Sequence, residues 1–199
     1  MKKTLLFSFV VCLFSTLIVG CSDDSTPTDQ YANWRNRNDA YLDSIVKVAR
    51  KNTSGEWRIY KSFKKELEET GTVAQNLATL SKFDSVYVRV IEEGAAAVKP
   101  LFTDTIKVHY RGTLLNGNVF DQSYAGDLNP QVHTPSKFLL GGLVTGWVTA
   151  FLQMNVGTKA ELYIPYHLGY GAVAKGTLPA YSVLKFNVYF SDIIHPKKP

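Results

Sequence analysis

Cysteine is scarce in this 199-residue chain: Cys12 and Cys21 are the only two, and none follows residue 21. A body without thiols has no disulfide framework, no cysteine-ligated metal and no thiol nucleophile. Histidine is nearly as sparse. His109, His133, His167 and His195 are scattered, with none of the spacings that bring metal ligands together on one helix or turn. No Gly-x-Ser-x-Gly elbow, Walker loop or Gly-x-Gly-x-x-Gly occurs, and Gly169-Tyr-Gly171 and Gly141-Gly142 are only turn-sized. No two acidic residues stand out as an acid/base couple. An excess of one charge is missing too. The net charge of +5 includes Lys2 and Lys3, and without them 20 Lys and Arg face 17 Asp and Glu. Residues 22–83 carry ten basic and nine acidic side chains, and residues 84–199 carry ten and eight. With no basic run there is no electrostatic footprint for nucleic acid. These absences leave hydrolysis, redox chemistry, phosphoryl transfer and metal or cofactor chemistry without a signature.

What the chain does contain begins with an address. Met1-Lys2-Lys3 is a short positive start, and Leu5 to Val19 is dominated by apolar residues. About fifteen residues are too few for a comfortable membrane span. Residues 1–20 therefore read as an export signal and are set aside from the fold. Leu17-Ile-Val-Gly-Cys21 resembles a bacterial lipobox, which makes Cys21 the expected lipidation site. An ordinary cleavable signal with a chance cysteine is the alternative. Residues 21–30 are polar and read as a flexible tether. Together these features lead to an expected localisation as an envelope lipoprotein at the outer membrane, on its periplasmic face or the cell surface.

The remainder divides near residue 84. In residues 31–51, Trp34, Tyr41, Ile45 and Val48 recur at helical spacing, and Asn52-Thr-Ser-Gly55 ends the run. This predicts an amphipathic helix whose apolar stripe packs on the main domain or, alternatively, mediates self-association. Residues 56–63 suit a short strand, and 64–80 a helix in pieces. Residues 31–83 thus form a mostly helical extension. Beyond residue 84 the apolar period becomes two. Val86, Val88 and Val90 form one row, and Ile106, Val108 and Tyr110 a second. Ala160, Leu162 and Ile164 form a third, and Leu184, Phe186, Val188 and Phe190 a fourth. Four amphipathic strands predict an antiparallel sheet with one wet face, and His109 falls on that polar face. One helix, near Gly146 to Met154, presents Trp147, Ala150, Phe151 and Met154. The fold class is α+β.

The residues able to hold a ligand are mostly aromatic and recur in short blocks: Val108-His-Tyr-Arg-Gly-Thr-Leu114, Gly117-Asn-Val-Phe-Asp-Gln-Ser123, Lys137-Phe-Leu-Leu-Gly141 and Val144-Thr-Gly-Trp147. The series continues with Met154-Asn-Val-Gly-Thr-Lys-Ala160, Leu168-Gly-Tyr-Gly-Ala172, Leu178-Pro179 and Leu184-Lys-Phe-Asn-Val188. In kind and order these blocks resemble the FKBP-type peptidyl-prolyl cis-trans isomerases. The resemblance covers about 84–195, leaves 196–199 as a tail, and says nothing of 22–83.

The resemblance implies an antiparallel half-barrel sheet wrapped around a short helix, with a proline pocket between them and no cofactor. Trp147 would floor the pocket, and Tyr110, Phe120, Leu143, Val144, Leu178 and Phe186 would wall it. The Val144 N–H and the Tyr170 hydroxyl would hold substrate carbonyls, while Asp121 would accept a hydrogen bond from Tyr110. Tyr110, Asp121, Tyr170 and Phe186 are the expected catalytic set. The implied partners are proline-containing polypeptides and, through Cys21, a membrane. Ser136 replaces a pocket aromatic common in the family, which should weaken binding of macrolides such as rapamycin. The stretch Ser123 to Pro135 also departs from the family's usual composition. Two other readings stay open: a non-catalytic proline-segment binder or holdase on the same fold, and a surface scaffold in which residues 31–83 dominate.

Overall fold

The computed structural model describes residues 29–68 and 81–197. The predicted pieces of helix within 69–80 lie outside the described residues, as do the export signal, Cys21 and the tether up to residue 28. Among the described residues, three α-helices, α1 (Trp34–Lys51), α2 (Phe63–Glu68) and α3 (Thr145–Phe151), accompany seven strands. These are β1 (Trp57–Lys61), β2 (Ser85–Glu92), β3 (Thr105–Thr113), β4 (Val119–Gln122), β5 (Ser136–Leu139), β6 (Lys159–Ile164) and β7 (Leu184–Ile194).

All pairings are antiparallel, and the sheet runs β1-β2-β6-β7-β3-β4 with β5 also on β3. β3 is the hub. One edge pairs with β7 along its whole length, while the other takes β5 over Thr105–Val108 and β4 over Arg111–Thr113. A bulge at Lys107/Val108, with Ser191 as the extra residue on β7, bends this pair. Ile106, Val108, Leu162, Ile164, Leu184 and Phe190 face inward and are fully buried. They meet α3, whose residues Gly146 to Phe151 are all buried. A seven-residue helix rich in β-branched residues has no stability of its own in water. It exists because the concave sheet covers it.

The wet outer face expected from alternation is covered at both ends. Helix α1 lays Leu42, Val46 and Ala49 on Trp57, Tyr87 and Tyr163, so the middle of β2 is buried on both sides. Burial pushes the Tyr87 phenol up to about 12. The buried stripe of α1 is Trp34, Asn38, Leu42, Val46 and Ala49; of the predicted Trp34, Tyr41, Ile45 and Val48, Trp34 is buried, Tyr41 and Ile45 pack half-buried beside the stripe, and Val48 is 51% exposed. The misreading has a physical cause. Asn38 looks like a solvent residue, yet it is buried with its amide donating to Trp34 O at 2.8 Å and its carbonyl accepting from the Val183 N–H at 2.8 Å. The helix ends where predicted, at Asn52 in the left-handed conformation (φ 41°), whose N–H bonds Val48 O.

His109 is corrected in the same way. It is 2% exposed, not a surface residue. Its ring stacks on Tyr189 at 5.8 Å, and the segment after β4 lies close by, with Arg111 donating to Gly126 O and resting over the Tyr124 ring. Burial, with the nearby His133, holds its pKa below the usual histidine value.

Candidate active site

The site forms where α3 begins under the hub strand. Leu143 and Val144 approach the helix in extended conformation, and the Trp147 N–H then closes the first turn on Val144 O at 2.9 Å. Trp147 therefore projects into the concavity, where it is 4% exposed. Tyr110, Phe138 and Phe186 meet its indole edge-on, at 5.4, 5.8 and 5.1 Å between centroids. Phe151 closes the far side at 5.0 Å. Edge-to-face contacts are the favoured aromatic arrangement, so these rings hold one another in place.

A cavity of about 130 Å³ opens over this cluster. Tyr110, Phe138, Leu143, Val144, Trp147 and Phe186 supply its apolar lining, and Asp121 and Tyr170 its polar rim. The space is on the scale of one small ring. Phe120 and Leu178 line an adjoining hollow of about 160 Å³ that shares Asp121 and Tyr170 with the cavity. Gly112 makes the close packing feasible, because a Cβ there would lie 2.6 Å from Phe120 and 2.7 Å from Phe186.

The polar groups are few and placed at the rim. The Tyr110 hydroxyl donates to Asp121 Oδ2 at 3.0 Å, and the Tyr110 N–H donates to Ser123 Oγ at 2.8 Å. Burial raises the Tyr110 pKa, and the Asp121 bond and charge raise it further, so the phenol stays a donor at neutral pH. Burial, then Asp121, raises Tyr170 as well. Among the described residues, neither the Tyr170 hydroxyl nor the Val144 N–H meets a protein acceptor. Nor does any group of three or more His, Cys, Asp or Glu among them stand placed to hold a metal ion. The arrangement is thus an aromatic-walled cavity bordered by Val144 and Tyr170, whose N–H and hydroxyl have no protein acceptor. It suits a small apolar ring flanked by carbonyl groups.

Known proteins resemble this chain over the stretch that builds the cavity. Residues 97–190 match the family model "FKBP-type peptidyl-prolyl cis-trans isomerase". This stretch is an FKBP domain. Over 107 residues the chain is 40% identical to the FKBP-type 22 kDa peptidyl-prolyl cis-trans isomerase of Escherichia coli (strain K12), covering 53% of this chain and 48% of that protein. It is 36% identical over 107 residues to FkpA of Aeromonas hydrophila, covering 53% and 37%. The chain spans about half the length, or less, of these relatives. The crystal structure of FkpA from Escherichia coli overlays 86% of this chain and 75% of that one, at 26% identity and a TM-score of 0.49.

Within the FKBP domain, the cavity gathers seven of the nine residues singled out from the sequence: Tyr110, Asp121, Leu143, Val144, Trp147, Tyr170 and Phe186. The other two, Phe120 and Leu178, stand one step outside, although Phe120 still touches Phe186 edge-on at 5.3 Å. Sequence reasoning missed Phe138 as a wall. It lies within a quoted block, and strand alternation from Ser136 carries it to the inner side of β5, opposite Ile106.

Proposed function

We propose that the chain catalyses cis-trans isomerisation of X–Pro bonds in exported polypeptides at the cell envelope. The observation that carries the reading is the ring-walled cavity on Trp147 with unbonded donors at its rim. In it the proline ring rests on Trp147 between Tyr110, Leu143, Val144 and Phe186, with Phe120 and Leu178 as an outer wall. The Val144 N–H and the Tyr170 hydroxyl donate to substrate carbonyls. Asp121 orients the Tyr110 hydroxyl beside the reacting amide.

The chemistry needs no strong acid, base or metal. Rotation about the imide breaks its resonance, at a cost of about 18–20 kcal/mol, and uncatalysed exchange takes tens of seconds or more. Resonance makes the planar imide more polar than the twisted one, so a water-poor aromatic box disfavours the planar state more. Donors fixed around the twisted form add selective support. Lowering the barrier by about 4 kcal/mol gives roughly a thousandfold acceleration.

Asp121→Ala tests the rim. Loss of one hydrogen bond of about 1–1.5 kcal/mol is expected to lower kcat/KM roughly tenfold in a protease-coupled proline-peptide assay. The thermal midpoint should barely move, because Asp121 is exposed. Full turnover in this variant would reduce the Tyr110–Asp121 pair to packing.

Ser136 favours one second reading, a proline-segment binder without catalysis. It lies two residues before Phe138 on the same side of β5 and contributes no ring to the cavity. Tight peptide binding without acceleration would select that reading.

The envelope assignment rests on the lipobox-like Leu17 to Cys21. Expressed in a Gram-negative host, the chain is expected to incorporate labelled palmitate and to partition with membranes, and Cys21→Ser to abolish both. Labelling that survives the substitution would sink the anchor. Among the described residues, no helix is long and apolar enough to cross a membrane.

A further inference from the structure

The cavity over Trp147 is one end of a longer depression. It shares Asp121 and Tyr170 with the hollow formed by Phe120, Lys175 and Leu178. That hollow in turn shares Phe120 and Thr177 with a third, of about 300 Å³, reaching Leu114, Val119 and Tyr31. The last wall comes from outside the FKBP match, from the segment just before α1.

That segment is firmly placed. The Tyr31 N–H donates to Asp29 Oδ1 at 2.9 Å, and its ring stands edge-on to Trp34 at 5.0 Å. Gln30 Oε1 accepts from the side-chain amides of Asn118 at 2.9 Å and Asn116 at 3.2 Å, which ties the segment to the β3–β4 turn. The start of α1 also secures the opposite bank. Trp34 Nε1 donates to Ser182 Oγ at 2.9 Å, and Ser182 Oγ donates to Pro179 O at 2.7 Å, directly after Leu178. Arg35 lies over Tyr181 at 4.5 Å, and Tyr181 holds φ +60°, a conformation bulky residues rarely adopt. A single N-terminal element thus shapes both banks of the depression.

We infer that residues 29–38 complete an extended polypeptide cleft whose far end, between Tyr31 and Val119, binds an apolar side chain of the same substrate whose proline occupies the Trp147 cavity. This rests on the isomerase reading of that cavity. The occupant follows from continuity with the cavity and from the lining, where Val119 is 48% exposed and Tyr31 half-buried. The reach is set by geometry. Ring-to-ring steps of 5.1 and 5.3 Å lead from Trp147 through Phe186 to Phe120. An extended chain advances about 3.3 Å per residue, so roughly three residues from the proline bring the chain level with Phe120, and the far subsite beside it takes a side chain from that position or the next one or two.

The test compares a short X–Pro peptide flanked by alanines with longer ones carrying one phenylalanine three, four or five residues to either side of the proline. Both kcat/KM and affinity are measured on the whole protein. At one placement the long peptide is expected to exceed the short one at least fivefold in kcat/KM, through KM. Tyr31→Ser and, independently, Val119→Ser should bring that ratio below two. Should Tyr31→Ser not fold, Val119→Ser decides, its side chain being already half in solvent. No placement above twofold, or a ratio unchanged in the folded variants, overturns the cleft. Turnover of the short peptide with a flat ratio removes the cleft and keeps the isomerase. Tighter binding of the long peptide that depends on Tyr31 and Val119, with no turnover of either, keeps the cleft and removes the isomerase.

Discussion

Trp147→Ala is expected to lower kcat/KM for X–Pro isomerisation at least tenfold. The indole is both the floor of the cavity and the ring against which Tyr110, Phe138 and Phe186 stand edge-on. Its removal enlarges the box, lets water in and frees three walls at once, so the twisted imide loses both its dry surroundings and its fixed neighbours. Truncating a buried tryptophan also costs stability, about 3–5 kcal/mol. Loss of turnover must therefore be read in a protein shown to be folded by near-ultraviolet circular dichroism. Trp147→Phe separates the two effects, since it keeps an aromatic floor and should retain an intermediate rate. Unimpaired turnover in folded Trp147→Ala would mean that the cavity is not where proline reacts.

The second large effect is expected next to it, at Gly146. A Cβ at this position would lie 2.3 Å from Ile164 Cγ2, and Ile164 is fully buried in β6. Helix α3 therefore rests on the sheet at a distance only glycine permits. Gly146→Ala should force the helix outward at a cost of about 1–3 kcal/mol, the usual range for overpacking. The cost is read as a lower urea midpoint with an unchanged slope. Because the same turn carries Trp147, turnover should fall with it. An unchanged midpoint would show that α3 is not held by this contact.

The fold was most legible where long strands alternate against the core. The rows in β3, β6 and β7 pointed inward as their period required, and the aromatic blocks located the cavity. Legibility ended where elements are short or covered twice. β4 and β5 have four residues each, too short to stand out as strands in the sequence, so the alternation that turns Phe138 inward is recognisable only once β5 is seen paired with β3. Tyr87 and His109 sit on the side of the sheet that alternation assigns to water. No pattern within their own strands could reveal α1 over one or the segment after β4 beside the other. Asn38 misled because a buried amide satisfied by two backbone partners has the same letter as a solvated one. Phe120 and Leu178 line the adjoining hollow and not the central cavity, a division between neighbouring hollows that no spacing in the sequence encodes.

Two-dimensional exchange spectroscopy on a panel of X–Pro peptides, with catalytic amounts of the soluble protein, tests the assignment most directly. Uncatalysed exchange on the scale of tens of seconds leaves cis and trans resonances unlinked on the mixing timescale. A dry aromatic box that stabilises the twisted imide predicts exchange cross-peaks that grow with protein concentration and vanish in Trp147→Ala. Peptides that bind saturably yet exchange no faster than they do alone would contradict it.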